Sequence, residues 1–464
     1  MNTDLIIIGA GPGGYETAVR AAKAGLQVVV VEKEHLGGTC LNAGCIPTKC
    51  LCHSAEQIEE LKNSNIEMAA PSILQFFNSS ILRKNEVVEK LKAGVAQLMK
   101  TPGITLVEGE ARFIDQHTVA VDDEQYEAKN IIIATGSRTK FLPIPGAHAE
   151  GVVTSTEILN LDHLPQRLAI IGGGVIGLEF ASIFRSFGVE VTVIEFCKEV
   201  LPLFDRDLAK RLRTSLKKRG IEFHVGAAAK EIHEGKPLVV DFEEKGKVQS
   251  VEADLVLMAV GRAANLESLN LADVGIETTP RGIAVDEHMQ TNVPGIYAIG
   301  DVNGLMQLAH AASAQGKVAL KKIISEERRV KSEEFATALA QEEKSNLNSS
   351  LSIIPSAVFT VPEAAMVGQT EEQLTEAGIE YKAHKAFYRA NGKALAMEAD
   401  DGLVKILTDV EGRILGCHIL GAHASDLIHE ATLAMRLGAT IHDLADTVHA
   451  HPSLSEILLA AAEA

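Results

Sequence analysis

No stretch of about eighteen apolar residues occurs in the sequence, which excludes a helical membrane span. There is also no visible export signal. Asp4-Leu-Ile-Ile-Ile-Gly9 enters a strand almost at once and leaves no room for a basic segment followed by a cleavage site. Cysteine is scarce. Six in 464 residues is ordinary for a reducing compartment and far too few for a disulfide scaffold, so a cytoplasmic location is expected. Positive charge is also short: 44 basic against 62 acidic residues give a net charge of −18. That argues against nonspecific nucleic-acid binding, which needs a cationic footprint. An acidic surface favours solubility, and it can also receive a basic partner. At 46% hydrophobic and 23% charged the chain is globular, and its length calls for about two to four domains.

Two of the few cysteines stand five apart in Gly37-Gly-Thr-Cys-Leu-Asn-Ala-Gly-Cys-Ile-Pro-Thr-Lys49. A structural disulfide gains most by closing a long loop, and a Cys40–Cys45 bond would close a very short one. Its value would then be chemical, a bond made to be opened and closed. The alternatives are two small buried side chains or half of a zinc site. Zinc needs two further ligands, usually from a second close pair, and none follows, so no metal site is expected. Cys50 and Cys52, just beyond, read as small buried side chains on the helix after the loop, with exchange against Cys45 under oxidative stress as the reactive alternative.

The pair follows a glycine-rich turn. Leu5-Ile-Ile-Ile8 reads as a strand, Gly9-Ala-Gly11-Pro-Gly-Gly14 as a turn, Tyr15 to Ala24 as a helix, and Leu26 to Val31 as the next strand, ending in Glu32. The layout recurs. Leu168 to Ile171 is a strand, Gly172-Gly-Gly174-Val-Ile-Gly177 a turn, Leu178 to Phe187 a helix, and Val189 to Ile194 a strand ending in Glu195. First glycine and acid are 23 positions apart in both copies. A lone glycine turn is weak evidence, but strand, turn, helix and acid together form a dinucleotide fingerprint. The glycines admit a pyrophosphate to a helix N-terminus, and the acid bonds a ribose diol. Asn130 to Gly136 and Asp254 to Gly261 echo each other as buried strands ending in glycine. Gly295 to Asp301 is a further such strand. Asp301 suits either cofactor hydroxyls or a helix N-cap. The second unit is therefore inserted in the first, and the fold class is α/β with two Rossmann-like dinucleotide-binding domains.

Two dinucleotide sites and a redox pair make an electron relay, which needs a flavin between thiols and nicotinamide. FAD fits the unit beside the cysteines and NAD the second. Glu195 would repel a 2′-phosphate, so NAD is expected over NADP. Near the other end, His449-Ala-His451-Pro-Ser-Leu-Ser-Glu456 offers a general base, His451, and a carboxylate to orient it. A structural histidine is the alternative. Pro452 suggests presentation at a loop-to-helix junction.

These motifs, with Thr291 to Asp301 and Ile354-Pro-Ser-Ala-Val-Phe-Thr-Val-Pro-Glu363, span nearly the whole chain. On them the sequence resembles the class I pyridine nucleotide–disulfide oxidoreductases, and within these the branch that reoxidises dihydrolipoyl groups with NAD⁺. The resemblance implies an α+β C-terminal dimerisation domain and a homodimer. It implies an FAD domain at 1–146 and 268–345, an NAD domain at 147–267, and an interface domain at 346–464. Cys40 would be the interchange thiol and Cys45 the flavin-side thiol, with Lys49 near the flavin edge and paired to Glu179. His451 and Glu456 would act from the other subunit. FAD contacts would come from Gly9, Gly11, Gly14, Glu32, Lys33, Gly38, Thr39, Lys49, Gly109, Ala111, Thr135, Gly136, Asp301, Met306 and Ala309. NAD contacts would come from Gly172, Gly174, Val175, Ile176, Gly177, Glu179, Glu195, Gly261 and Arg262. Expected partners are lipoyl domains and the acyltransferase core of a 2-oxo acid dehydrogenase complex, or the lipoyl carrier of glycine cleavage, with neither nucleic acid nor membrane.

Rivals differ at identifiable positions. Glutathione-type reductases carry basic residues where Glu195 stands, mercuric reductase adds a C-terminal cysteine pair, and soluble transhydrogenase lacks one redox cysteine. A flavoprotein oxidase or diaphorase that does not act on lipoyl groups would not need His451 and Glu456; a related FAD/NAD(P)H disulfide reductase or diaphorase with another substrate is the alternative function. A non-catalytic scaffold would not fill every catalytic position. The polar stretch 325–350 reads as an exposed helix or insertion.

Overall fold

The computed structural model describes residues 1–66, 68–331 and 353–464. Most of the polar stretch 325–350 lies outside these residues; its first part continues the helix Ala309–Lys331. Among the described residues no helix is long and apolar enough to cross a membrane.

The chain divides into two compact units. The first gathers Met1–Pro47, Lys84–Thr139 and the stretch beginning at Arg262. Its centre is a seven-stranded sheet. Parallel strands run in the order Ile104–Glu108, Val28–Glu32, Asn2–Ile8, Glu124–Ile133, Ile296–Ala298. Thr118–Val121 and Ala111–Phe113 add an antiparallel edge. The unbroken apolar runs of the sequence arise because both faces of this sheet are covered. Ile6, Ile8, Val29, Val31, Ile131 and Ile133 enter one core cluster. Leu5, Ile7, Val28, Val30 and Ile132 enter another, with Ala18 and Ala21 of helix Pro12–Lys23 and Ala319 and Ile323 of Ala309–Lys331. This is the two-residue alternation of a strand. Leu5, Ile6 and Ile7 are fully buried, and each such side chain contributes about 1.5–3 kcal/mol.

The second unit gathers Thr48–Arg83, Lys140–Gly261 and the chain from Ile353. It holds a five-stranded parallel sheet in the order Glu222–Val225, Glu190–Glu195, Arg167–Ile171, Leu255–Met258, Val152–Val153. A three-stranded antiparallel sheet, Ala227–His233, Leu238–Glu244 and Lys247–Ala253, accompanies it. The same unit contains a five-stranded antiparallel sheet in the order Ser356–Val358, Ala364–Gly368, Ile414–Leu420, Leu403–Thr408, Lys382–Phe387. Helices Ala424–Leu437 and Glu456–Ala462 pack on it through Ile428, Ala431, Ile457 and Leu458. The architecture is therefore α/β with two Rossmann-like sheets and an α+β C-terminal part.

Lys405, in the middle of the strand Leu403–Thr408, is fully buried. It donates to Asp205 at 2.5 Å and to Glu371 at 2.5 Å. Asp205 in turn caps the helix Arg206–Lys218, accepting from the Asp207 and Leu208 N–H groups. One buried cation thus fastens the C-terminal sheet to a helix of the nucleotide-binding part.

The helices after the glycine turns start earlier than the sequence reading placed them. They begin at Pro12 rather than Tyr15 and at Val175 rather than Leu178. Proline is at home in a first turn, where its missing N–H has no helical partner to lose.

Candidate functional site

Strand Asn2–Ile8 ends at Gly9, whose φ of +104° strains any side chain. A Cβ there would also stand 2.4 Å from the Ala134 carbonyl oxygen. Gly11 precedes helix Pro12–Lys23 and supplies no side-chain cap, so the first-turn amides stay available to an anion. Gly14 packs on the turn itself: a Cβ would lie 1.9 Å from the Gly9 carbonyl oxygen. The Glu32 carboxylate accepts from the Ala10 N–H at 2.7 Å and the Glu34 N–H at 2.9 Å. It keeps further lone pairs for a ribose diol.

Every one of these contacts recurs in the second unit. Gly172 has φ +113°, and a Cβ would stand 2.3 Å from the Ala259 carbonyl oxygen. A Cβ at Gly177 would lie 2.0 Å from the Gly172 carbonyl oxygen. Gly174 precedes the helix Val175–Ser186, which Val175 and Ile176 open. The Glu195 carboxylate accepts from the Gly173 N–H and, at 2.6 Å, from the Cys197 N–H. Gly261 closes the segment after Leu255–Met258, its carbonyl accepting from the Lys140 N–H.

In the first unit the other candidate residues collect at the carboxyl ends of the parallel strands, where open α/β sheets bind ligands. Gly109 follows Ile104–Glu108 and donates to the Glu32 carbonyl. Lys33 pairs with Glu110, 3.5 Å away, and Ala111 is buried. Thr135 and Gly136 follow Glu124–Ile133 and are held by Asn265. Asp301 lies in the 3-10 turn Gly300–Asn303 and accepts from Ser137 at 2.5 Å. It caps no helix; the next one starts at Ala309, three residues beyond Met306. Arg262 donates to the Ser137 hydroxyl at 2.7 Å and to its carbonyl at 2.5 Å, and stands 3.9 Å from Asp301. Burial pushes the Arg262 pKa down, against the pull of Asp301 and Cys45.

The cysteine segment is laid directly on the first glycine turn. The Gly37 N–H donates to the Ala10 carbonyl at 2.9 Å. A Cβ at Gly38 would stand 2.8 Å from the Gly11 Cα, so the two backbones touch. Gly38, Thr39 and Cys40 lie in the short helix Gly38–Ala43, and Cys45 opens the helix Cys45–Asn63. Both cysteines are half-buried. Burial, then Glu16 and Cys40, push the Tyr15 phenol up.

Lys49 stands one turn beyond Cys45 on the same helix, a spacing that shares a helix face. Its ammonium donates to both oxygens of Glu179 at 2.9 Å and lies 4.5 Å from the centre of the Phe359 ring. Glu179 is buried and also accepts from the Phe359 N–H at 3.0 Å. Cys50 is buried. Burial, followed by Glu179, pushes the Cys52 thiol well up. The exchange chemistry considered for Cys52 is disfavoured, because thiolate is the reactive form.

His451 and Glu456 also come together. His451 Nδ1 meets Glu456 Oε1 at 2.9 Å, and the Ser453 N–H donates to the other carboxylate oxygen at 2.8 Å. The Ser453 N–H, then His451, hold the Glu456 carboxyl below its ordinary range. His451 is 80% exposed, with Nε2 turned away from the pair. These two residues, like Lys49 and Glu179, belong to the second unit, whereas Cys40 and Cys45 belong to the first. Sequence reasoning missed Ser137, Asn265 and Phe359. Ser137 follows Thr135-Gly136 directly, and Phe359 lies inside the quoted Ile354 to Glu363 motif; a partner for Lys49 and Asp301 could have been sought at both.

Residues 3–316 match the family model for pyridine nucleotide-disulphide oxidoreductase, and residues 354–462 match that family's dimerisation domain. The chain is 42% identical to dihydrolipoyl dehydrogenase of Bacillus subtilis (strain 168), across 100% of this chain and 96% of that protein. It is 39% identical to dihydrolipoyl dehydrogenase of Staphylococcus aureus, again across 100% and 96%. Among solved structures it is similar to a Cu(II) complex of the HOCl-induced flavoprotein disulfide reductase RclA from Escherichia coli. That likeness has a TM-score of 0.86 at 31% identity, covering 100% of this chain and 99% of the other.

Proposed function

The chain belongs to the pyridine nucleotide–disulphide oxidoreductases, and from that premise we propose that it oxidises dihydrolipoyl groups with NAD⁺. It is a flavin-dependent disulfide oxidoreductase of a family that uses FAD and NAD(H). The observation that carries the reading is the seating of the Gly37–Cys45 segment on one of two matching dinucleotide turns.

The first turn, Glu32 and Asp301 would hold FAD, and the second turn and Glu195 would hold NAD; the glycine cradles, which a Cβ would fill, fit both. When bound, FAD supplies two-electron transfer between the cysteine thiols and nicotinamide. A substrate thiolate attacks the Cys40 sulfur of the Cys40–Cys45 disulfide, and Cys45 leaves as thiolate. The second substrate thiol then attacks the sulfur bound to Cys40, which closes the lipoyl disulfide and releases Cys40. His451 takes the thiol proton through Nε2, while Glu456 orients the ring through Nδ1. Glu179 holds the Lys49 ammonium; Lys49 would lie near the flavin, where its positive charge would favour thiolate and reduced cofactor.

His451 and Glu456 act from the partner subunit of a homodimer built through the dimerisation domain. Glu195 selects NAD over NADP by repelling a 2′-phosphate. The enzyme works in the cytoplasm and serves lipoyl domains of a 2-oxo acid dehydrogenase complex or of glycine cleavage, its acidic surface receiving a basic binding domain at the acyltransferase core. The domain limits would stand at 146 and 267, and the third, at 345, lies outside the described residues.

A steady-state assay of the FAD-loaded protein with dihydrolipoamide tests this. NAD⁺ should support turnover and NADP⁺ much less, and Cys45→Ser and His451→Gln should each suppress it. No turnover of dihydrolipoamide by the unmodified protein would sink the proposal.

A further inference from the structure

A second imidazole–carboxylate pair lies two residues before the first. His449 Nε2 meets Glu430 Oε1 at 2.8 Å, and His449 Nδ1 meets the Thr447 carbonyl at 2.8 Å. The two histidines differ sharply in exposure. The His449 side chain is 5% exposed and that of His451 is 80% exposed. Their chain neighbours face solvent: Val448, just before His449, is 95% exposed, and Ala450, between the two histidines, is exposed as well.

A backbone carbonyl can only accept, so the bond to Thr447 uses an Nδ1–H. Nε2 faces a Glu430 carboxylate oxygen at hydrogen-bond distance. His449 therefore makes two directed bonds. One goes to its own loop, and the other to the helix Ala424–Leu437, which packs on the C-terminal sheet through Ile428 and Ala431. Two further bonds tie the loop. Thr447 donates to the Asp443 carbonyl at 2.7 Å, and Asn391 donates to the Ser453 carbonyl at 3.0 Å. His449 and Ser453 each stand two residues from His451, and of the two only the His449 side chain reaches the 14-residue helix Ala424–Leu437. It is also close enough to bear electrostatically on Glu456.

We propose that His449, clamped between Glu430 and the Thr447 carbonyl, is a positioning residue that sets where the loop presents His451. It touches no substrate. This rests on the reading of His451 as the acid–base group. A base displaced by about 1 Å loses up to about a hundredfold in rate, which gives the clamp a catalytic consequence that a purely structural contact lacks.

His449→Leu deletes both bonds, His449→Gln keeps a donor for Glu430, and Glu430→Leu removes the far anchor. With FAD-loaded protein, His449→Leu should lower kcat for dihydrolipoamide with NAD⁺ by about 10- to 100-fold at nearly unchanged KM. Oxidation of NADH by ferricyanide, which needs no thiol deprotonation, should be unchanged. His449→Gln should recover part of the loss, and Glu430→Leu should reproduce it if His449→Leu does not fold. Hydrogen–deuterium exchange over 447–453 should rise in both leucine variants. That readout is independent of any activity, so it tests the clamp even if dihydrolipoamide proves not to be the substrate. Equal losses in both assays, an undiminished kcat, or unchanged exchange over 447–453 would overturn the proposal.

Discussion

Gly14→Ala and Gly177→Ala should separate the two dinucleotide sites. The added Cβ would sit 1.9 Å from the Gly9 carbonyl oxygen in the first case and 2.0 Å from the Gly172 carbonyl oxygen in the second, where real Cβ atoms stay at 3.0 Å or beyond. Neither site can absorb this by rotating a side chain, since the obstacle is backbone. Turn and helix start must part by about 1 Å, an overpacking that costs about 1–3 kcal/mol in itself. The same movement carries first-turn amides away from the pyrophosphate. One hydrogen bond to a charged group is worth about 1.5–3 kcal/mol, so losing one weakens binding by about 10- to 150-fold. The assay is bound flavin per chain after gel filtration, with the apparent KM for NAD⁺ measured on whatever holoprotein remains. Gly14→Ala should purify largely without flavin. Gly177→Ala should keep its flavin and show a KM for NAD⁺ raised by about 10- to 150-fold. The assignment of the turns fails if Gly177→Ala loses flavin while Gly14→Ala keeps it, or if neither change is felt.

Three further outcomes are expected. Lys405→Met should destabilise the protein by about 3–5 kcal/mol in denaturant unfolding, because it leaves the fully buried Asp205 without its cation; a neutral result would mean that water or another group takes over. Burial holds the pKa of His418 below that of an unfolded imidazole, outweighing the opposite pull of Asp205. The unfolded chain then binds the extra proton below about pH 6.5, so stability should fall with falling pH by up to about 1.4 kcal/mol per unit; His418→Gln should flatten that limb of a stability–pH curve, and an unchanged slope would refute the cause. Cys52, its thiol held up by burial and by Glu179, should react with iodoacetamide at pH 7.5 far more slowly than an exposed thiol, and Cys52→Ala should leave dihydrolipoamide turnover intact.

The nucleotide-binding parts were legible in the sequence because their chemistry is local. Gly9 to Glu32 and Gly172 to Glu195 each hold strand, turn, helix and acid in one short stretch, and the structure closes each with the same backbone contacts. Lys49 and Glu179 were paired only through the family resemblance, for nothing near either residue in the chain points to the other. Lys405 was not legible at all. Leu403-Val-Lys-Ile-Leu reads as an ordinary strand with one solvent-facing lysine, and its partner Asp205 is remote in sequence. His449 stayed hidden for the same reason, since its meaning depends on Glu430 across a helix and a loop. Tertiary partners of buried polar groups leave no periodicity to read.

The relay through Cys40 and Cys45 is tested most directly by counting thiols. The air-oxidised holoprotein, and the same protein reduced with NADH under anaerobic conditions, are denatured and alkylated, and the labelled positions are mapped. Of the six cysteines, Cys50, Cys52, Cys197 and Cys417 should label in both samples, and Cys40 and Cys45 only after NADH. Labelling of Cys40 and Cys45 before reduction, or NADH-dependent labelling at any other pair, would contradict the account.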